Sequence, residues 1–280
     1  MTGIIGGSSL TTAQRILSTH STAIARSLER LATGQRINRA SDDPAGLITS
    51  ENLRAALSVL EAEARSLLRG DHVAAVAEGA LSVTSELLIE ANGLAVAAAN
   101  SAGMSPEERQ AIQGQIDSIL STVDFIAGTT SFGGESLLDG TTTITAGGSS
   151  VDLPDSNAGG LGATVVDGTS YTLADLRSGG SLNLANGDVS IAQQVIRNAI
   201  TDVATARAAI GSFQKHAVGS SLANVQTGMQ NLAAANSLIR DTDFAQEIAS
   251  LNRSLVLQQA SLRAISIMLP ARSSILELLA

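Results

Sequence analysis

The sequence predicts a mainly α protein: a long antiparallel helical hairpin or coiled coil with its terminal helices paired, plus a small β-rich central insertion. Three observations carry that prediction. Aliphatic residues recur every seven positions at both ends, a run of more than 50 residues after Pro44 contains no proline, and 12 of the 26 glycines fall between Phe132 and Gly187.

The N-terminal stripe is Leu10, Leu17, Ile24 and Leu31. A seven-residue repeat keeps an apolar seam on one side of a slightly underwound helix, so it marks a helix made to lie along another helix. Gly34 and the polar run to Asp43 end this element. Asp43-Pro44 then restarts a helix: Asp43 can cap the free amides, and Pro44 suits the first turn because its missing N–H would have no partner there. From Pro44 to about Asn100 apolar residues recur at helical spacing, a length that reads as a rod. Ser105-Pro106-Glu107-Glu108 is a capping box, Ser105 and Glu108 being its two arms. The helix it opens carries Ile112, Ile116, Ile119, Val123 and Ile126 on one face.

Between Phe132 and Gly187 the texture changes. Thr141–Ala146, Ala163–Val166 and Ser170–Leu173 are short β-prone pieces separated by Gly, Asn and Asp. A glycine-rich loop is the plain reading. A β-rich insertion is favoured, because Val165, Val166, Tyr171 and Leu173 give it something to bury. Asp188 then caps a long helix with Ile191, Val195, Ala199, Val203, Ala206, Ile210 and Phe213 on one face, continuing toward Leu232. After a polar break near Asn236 to Asp243 comes the C-terminal stripe: Ile248, Leu255, Leu262, Leu269 and Leu276, with Leu251, Ile265 and Leu279 three residues on. The expected division is an inner coiled-coil domain (1–40 and 236–280), a helical domain (41–131 and 188–235) and an outer insertion (132–187).

Composition narrows function. Aromatic residues are 2% of the chain, with no Trp and no Cys, and net charge is −9 with Lys215 the single lysine. Small aliphatic residues must therefore do the packing. No disulfide, thiolate metal site or Cys nucleophile is possible, and the acidic balance argues against nucleic acid. No run of 18 or more apolar residues exists, so membrane insertion is not expected. Met1–Gly7 lacks the basic start and apolar run of a secretory signal, so export would use another route.

Nor does the chain read as an enzyme, and no cofactor or metal is expected. His20, His72 and His216 form no metal-binding pair; His20 reads as a polar residue tolerated at a helix contact. Asp42 and Asp43 are accounted for by capping, and Glu107 and Glu108 by the first turn of their helix. Asp152 and Asp155 are too few for Ca²⁺. Gly133-Gly134 lacks the Lys-Ser/Thr of a phosphate loop.

Several segments carry a resemblance. Arg30-Leu31-Ala32-Thr33-Gly34-Gln35-Arg36-Ile37-Asn38, followed by Ser41-Asp42-Asp43-Pro44-Ala45-Gly46-Leu47, resembles the N-terminal signature of bacterial flagellins. Glu78-Gly79-Ala80-Leu81 and Leu94-Ala95-Val96 resemble the family's next helical stretch. Ile239-Arg240-Asp241-Thr242-Asp243-Phe244-Ala245 and Leu257-Gln258-Gln259-Ala260 resemble its C-terminal signature. The likeness covers roughly the first 140 residues and the last 90.

The resemblance implies a self-polymerising subunit of the extracellular flagellar filament, used for swimming motility. It implies terminal helices paired in an inner coiled coil, with Leu10, Leu17, Ile24, Leu31, Ile248, Leu251, Leu255, Leu262, Ile265, Leu269 and Leu276 as assembly residues. Export through a flagellar type III apparatus with a chaperone, and contact with filament cap and junction proteins, are implied too. The termini are expected to gain helix on assembly, because a marginal helix whose stripe only neighbours can cover is ordered by binding them. At the positions where many flagellins present Arg and Glu to an innate immune receptor, this chain has Glu90 and Gly93, retaining Leu94. Weak recognition is therefore expected. The alternatives are the related hook–filament junction protein and a non-flagellar coiled-coil interaction module.

Overall fold

The computed structural model describes the backbone of residues 2–100, 104–185 and 187–279, and side chains within 11–100, 104–185 and 187–267. Among the described residues there are six α-helices: α1 (Thr2–Thr33), α2 (Pro44–Ala99), α3 (Pro106–Thr129), α4 (Val189–Ser212), α5 (Gly219–Arg240) and α6 (Phe244–Leu279). A π-helical turn, Phe213–Val218, joins α4 to α5 without a break. The chain divides into two compact units, Met1–Val59 with Gly228–Ala280, and Leu60–Thr227.

In the second unit three helices share a core of small and aliphatic side chains. Along α2, Leu67, Gly70, Ala74, Ala77, Leu81, Thr84, Leu88, Ala91, Ala95 and Ala98 are all buried. From Gly70 onward these alternate three- and four-residue steps, as one face of a helix lying along its neighbours requires. On α3 the buried face is Ile116, Ile119, Leu120, Val123 and Ala127; on α4 it is Ala192, Val195, Ile196, Ala199, Val203 and Ile210. Alanine at so many of these positions suits close backbone approach, as the near absence of aromatic residues requires.

The insertion holds three separate antiparallel hairpins: β1 (Ser131–Phe132) with β2 (Glu135–Ser136), β3 (Thr143–Ala146) with β4 (Ser149–Asp152), and β5 (Thr164–Val166) with β6 (Thr169–Tyr171). A 3₁₀ turn, Leu173–Leu176, follows. Its core departs from expectation. Val165 is 71% exposed, because it points away on the outer face of β5, and Val166 and Tyr171 are only half-buried. Leu173 is fully buried, joined by Leu137, Leu138, Leu153, Leu161, Leu176, Leu182 and Leu184 from strand ends and loops. With strands of two to four residues, the loops hold most of the aliphatic side chains.

Polar contacts tie the insertion to its helices. Gln113 on α3 donates to the Leu176 carbonyl at 2.8 Å and accepts from the Leu184 amide at 2.7 Å. Asp124 accepts from the Ala158 amide at 2.8 Å and pairs with Arg177. At Gly162 (φ 75°) an added Cβ would lie 2.6 Å from the Val195 carbonyl, so the chain crosses α4 there only because the residue is glycine. At Gly70 an added Cβ would meet the Ala146 methyl at 2.9 Å, which lets β3 approach α2.

One expectation was too strong. A stretch of α2 reaches a mean hydropathy of 1.3, enough by length and composition alone to cross a membrane, although no unbroken apolar run exists. Alanine, leucine and valine along a helix that buries one long stripe account for this value. The helix also starts at a capped, polar N-terminus.

Candidate functional site: the terminal helix pair and its polar joint

Helix α1 packs along α6, its C-terminal end beside the N-terminal end of α6, so the two run antiparallel. On α1 the face turned inward is Ala13, Leu17, His20, Ile24, Ser27 and Leu31, in alternating steps of four and three. The predicted Leu17, Ile24 and Leu31 lie half-buried on this seam, with His20 among them; Ser27 is 4% exposed. On α6 the matching face is Glu247, Leu251, Ser254, Gln258, Ser261 and Ile265.

That face divides the predicted C-terminal residues. Leu251 and Ile265 meet α1. Ile248, Leu255 and Leu262 stand beside the seam, 48%, 37% and 50% exposed, with Val256, Leu257 and Ile267 also open. The side chains of Leu10, Leu269 and Leu276 lie outside the described residues. The seam used within one chain is thus mixed in polarity, and among the described residues Ile248, Leu255 and Leu262 of the α6 stripe stand off it.

Where the helices meet, two segments some 200 positions apart in sequence interlock through their backbones. The Arg36 amide donates to the Arg240 carbonyl at 2.7 Å, and the Thr242 amide to the Gly34 carbonyl at 2.9 Å. The Arg36 guanidinium donates to the Ile239 carbonyl at 2.6 Å, neutralising one of the free carbonyls at the end of α5. Arg240 donates to Gln35 Oε1 at 3.1 Å and to Glu51 Oε1 at 2.8 Å, and Ser50 donates to Asn236 Oδ1 at 2.7 Å. Arg30 pairs with Glu247 at 3.5 Å on the first turn of α6. The Arg240 hydrogen bond, then that from Arg54, holds the Glu51 carboxyl below the usual carboxylate range. Asp42 is lowered too, chiefly because the Arg39 amide donates to it.

The predicted caps occupy helix starts. Asp43 accepts from the Gly46 amide at 2.9 Å, with Pro44 opening α2. Ser105 and Glu108 exchange both capping-box hydrogen bonds, and Asp188 accepts from the amides of Ser190 and Ile191. Glu90 and Gly93 are exposed on α2, and Leu94 is half-buried. Sequence reasoning did not single out Gln35, Arg36, Ser50, Glu51, Asn236, Arg240 or Thr242 as a site. The available signal was that several of them sit inside the two terminal signatures.

Comparison with known proteins follows the same two ends. Residues 8–143 match the family described as the bacterial flagellin N-terminal helical region, and residues 193–279 match the bacterial flagellin C-terminal helical region. The flagellin of Bacillus subtilis (strain 168) is 32% identical over 274 residues, covering 88% of this chain and 89% of that protein. The flagellar filament 30.7 kDa core protein of Treponema maltophilum is 29% identical over 264 residues, covering 89% and 90%. A crystal structure of Bacillus cereus flagellin aligns with a TM-score of 0.41 at 22% identity, over 61% of this chain and 94% of that one.

Proposed function

This chain belongs to the bacterial flagellin family and is a subunit of the extracellular flagellar filament, and we propose that the aliphatic stripe left open on α6 is the surface through which it assembles. The observation that carries this reading is the exposure of Ile248, Leu255 and Leu262 beside a seam already occupied by α1. Covering each such side chain stabilises by about 1.5–3 kcal/mol at most. In a helical polymer every subunit gains this from its neighbours. Assembly and ordering of the termini are then coupled: α1 and α6 bury little in one chain and much more in the filament.

The role is structural and non-catalytic, with filament growth as the output and motility as its use. Export through the flagellar type III apparatus with a chaperone, and contact with cap and junction proteins, follow from the same reading. Recognition by the innate immune receptor is weak, because the exposed α2 surface offers Glu90 and a side-chain-free Gly93 at the matching positions. Reporter cells exposed to purified monomer should respond little; a potent response would remove this part of the reading.

Electron microscopy of purified full-length protein tests the function directly. Long helical filaments should form, and helical circular dichroism should rise as they do. A discrete soluble oligomer would instead favour a coiled-coil interaction module.

A further inference from the structure

Apart from the Arg30–Glu247 ion pair at 3.5 Å, the seam between α1 and α6 specifies its register weakly. Leu17, Ile24 and Leu31 recur every seven residues on α1, and the facing columns of α6 are Glu247, Ser254, Ser261 and Leu251, Gln258, Ile265. Sliding one helix by seven residues sets the same aliphatic column against the same two columns. The exchanges such a slip makes are among polar or small residues, Glu247 with Ser254 on α6 and Ala13, His20 and Ser27 on α1, and of Gln258 with its aliphatic neighbours. A repeat that survives such a slip specifies register weakly unless a polar contact fixes it. The slip matters, because it would displace the open stripe of α6 by about 10 Å along the helix axis.

The joint supplies what the seam lacks. Through their side chains, the Arg36 guanidinium reaches the Ile239 carbonyl at 2.6 Å, and Arg240 reaches Gln35 at 3.1 Å and Glu51 at 2.8 Å; the backbone bond between the Arg36 amide and the Arg240 carbonyl does not depend on these side chains. These partners occur once each and have no counterpart one heptad away. We propose that Arg36 and Arg240 are positioning residues that pin the register of the terminal helix pair and so fix the height at which α6 presents its stripe. The proposal deepens the filament reading and rests on it for its consequence.

The absence of cysteine from the chain gives a clean test. Two reporters are made, R30C/E247C for the observed register and R30C/S254C for a slip of one heptad; both remove the Arg30–Glu247 ion pair, leaving the joint alone to hold the register. Each is incorporated as a minority among cysteine-free wild-type subunits, so that a short bismaleimide can join only residues of one chain. In the otherwise wild-type background the 30–247 link should dominate. Adding Arg36→Ala with Arg240→Ala should shift the ratio of the 30–247 to the 30–254 product at least fivefold toward the slipped link. Arg36→Lys with Arg240→Lys, which keeps a donor at each position, should restore much of the original ratio. A merely structural role would lower both links together. An unchanged ratio, or loss of both links through unfolding or exclusion from filaments, overturns the proposal. Failure of wild-type protein to polymerise would instead count against the filament reading, and the two failures are separable.

Discussion

At the scale of single residues, the strongest polar contacts divide into those made within one turn and those made across the chain. Asp43, Ser105 and Asp188 accept from amides two or three positions on, and Glu108 from the amide three positions back, so their roles are legible in the sequence. Arg240 and Glu51 are separated by 189 positions, and no local pattern announces them. Their contact has a pH signature. Because Arg240 lowers the Glu51 pKa in the folded chain, the ionised carboxylate is favoured there. Its contribution is therefore complete above the unfolded glutamate value of about 4.3 and is lost as pH falls through the lower folded value. Glu51→Gln should lower Tm at pH 7, by about 2 °C because the pair is exposed to solvent. The gap to wild type should narrow as pH falls below about 4.3 and vanish beneath the lower folded value. Thermal melts of both proteins across that range decide it; a gap independent of pH would remove Glu51 from the joint.

At the scale of elements, the sequence shows helix starts and stripes better than it shows interruptions in helices. The long helix expected after Asp188 is present, but it contains the π-helical turn Phe213–Val218. Its cause lies in the phase of the apolar repeat. Val203 and Ile210 are seven apart, Val218 follows after eight, and Val225, Leu232 and Ile239 return to steps of seven. A second column behaves alike: Ala199, Ala206 and Phe213, then Ser221, Gly228 and Ala235. One extra residue in a regular α-helix would rotate everything after it by about 100°. The wider π turn absorbs that residue, keeping Val218 and Val225 buried along with Phe213 and Ile210. The same turn aims Gln214 at the Asp71 carboxylate, at 3.0 Å. Deleting the exposed Lys215 should therefore leave a continuous helix in phase, with Tm within about 3 °C of wild type. Deleting the equally exposed Thr205 shifts Ile210 and Phe213 off the core and should lower Tm by about 10 °C or more. Equal losses from the two deletions would show that the turn has another origin. The insertion was less legible for a related reason: its core leucines lie in loops, where no period marks which side chains turn inward.

At the scale of the whole molecule, what a single chain leaves unsatisfied is what its polymer must supply. The second unit buries one face each of α2, α3 and α4 while leaving Leu68, Val76, Val83, Ile89 and Val96 open on α2, and its insertion is tied down by Gln113, Asp124 and Asp202. The terminal pair is different, with serine, glutamine and histidine among the aliphatic residues of its internal seam and further leucine and isoleucine on its outer side. Such a distribution would be wasteful in a protein meant to remain a monomer, since polar groups occupy part of its seam while apolar side chains beside it face water. It fits a subunit whose outer stripe becomes interior on assembly. Leu255→Asp and Leu262→Asp separate the two units functionally. Neither side chain is part of the core of the second unit, so the monomer should keep that unit's cooperative melting transition within about 2 °C. In the filament, however, each would place an unpaired carboxylate in an apolar contact repeated along the whole polymer, at a cost of several kcal/mol per subunit. Filament growth should fall below detection by sedimentation and electron microscopy, whereas Val165→Asp, on the exposed face of β5, should assemble normally. Wild-type filaments from both leucine variants would place the assembly surface elsewhere on the chain. Assembly lost in all three would mean that added negative charge on a chain of net charge −9, rather than loss of the stripe, is what stops growth.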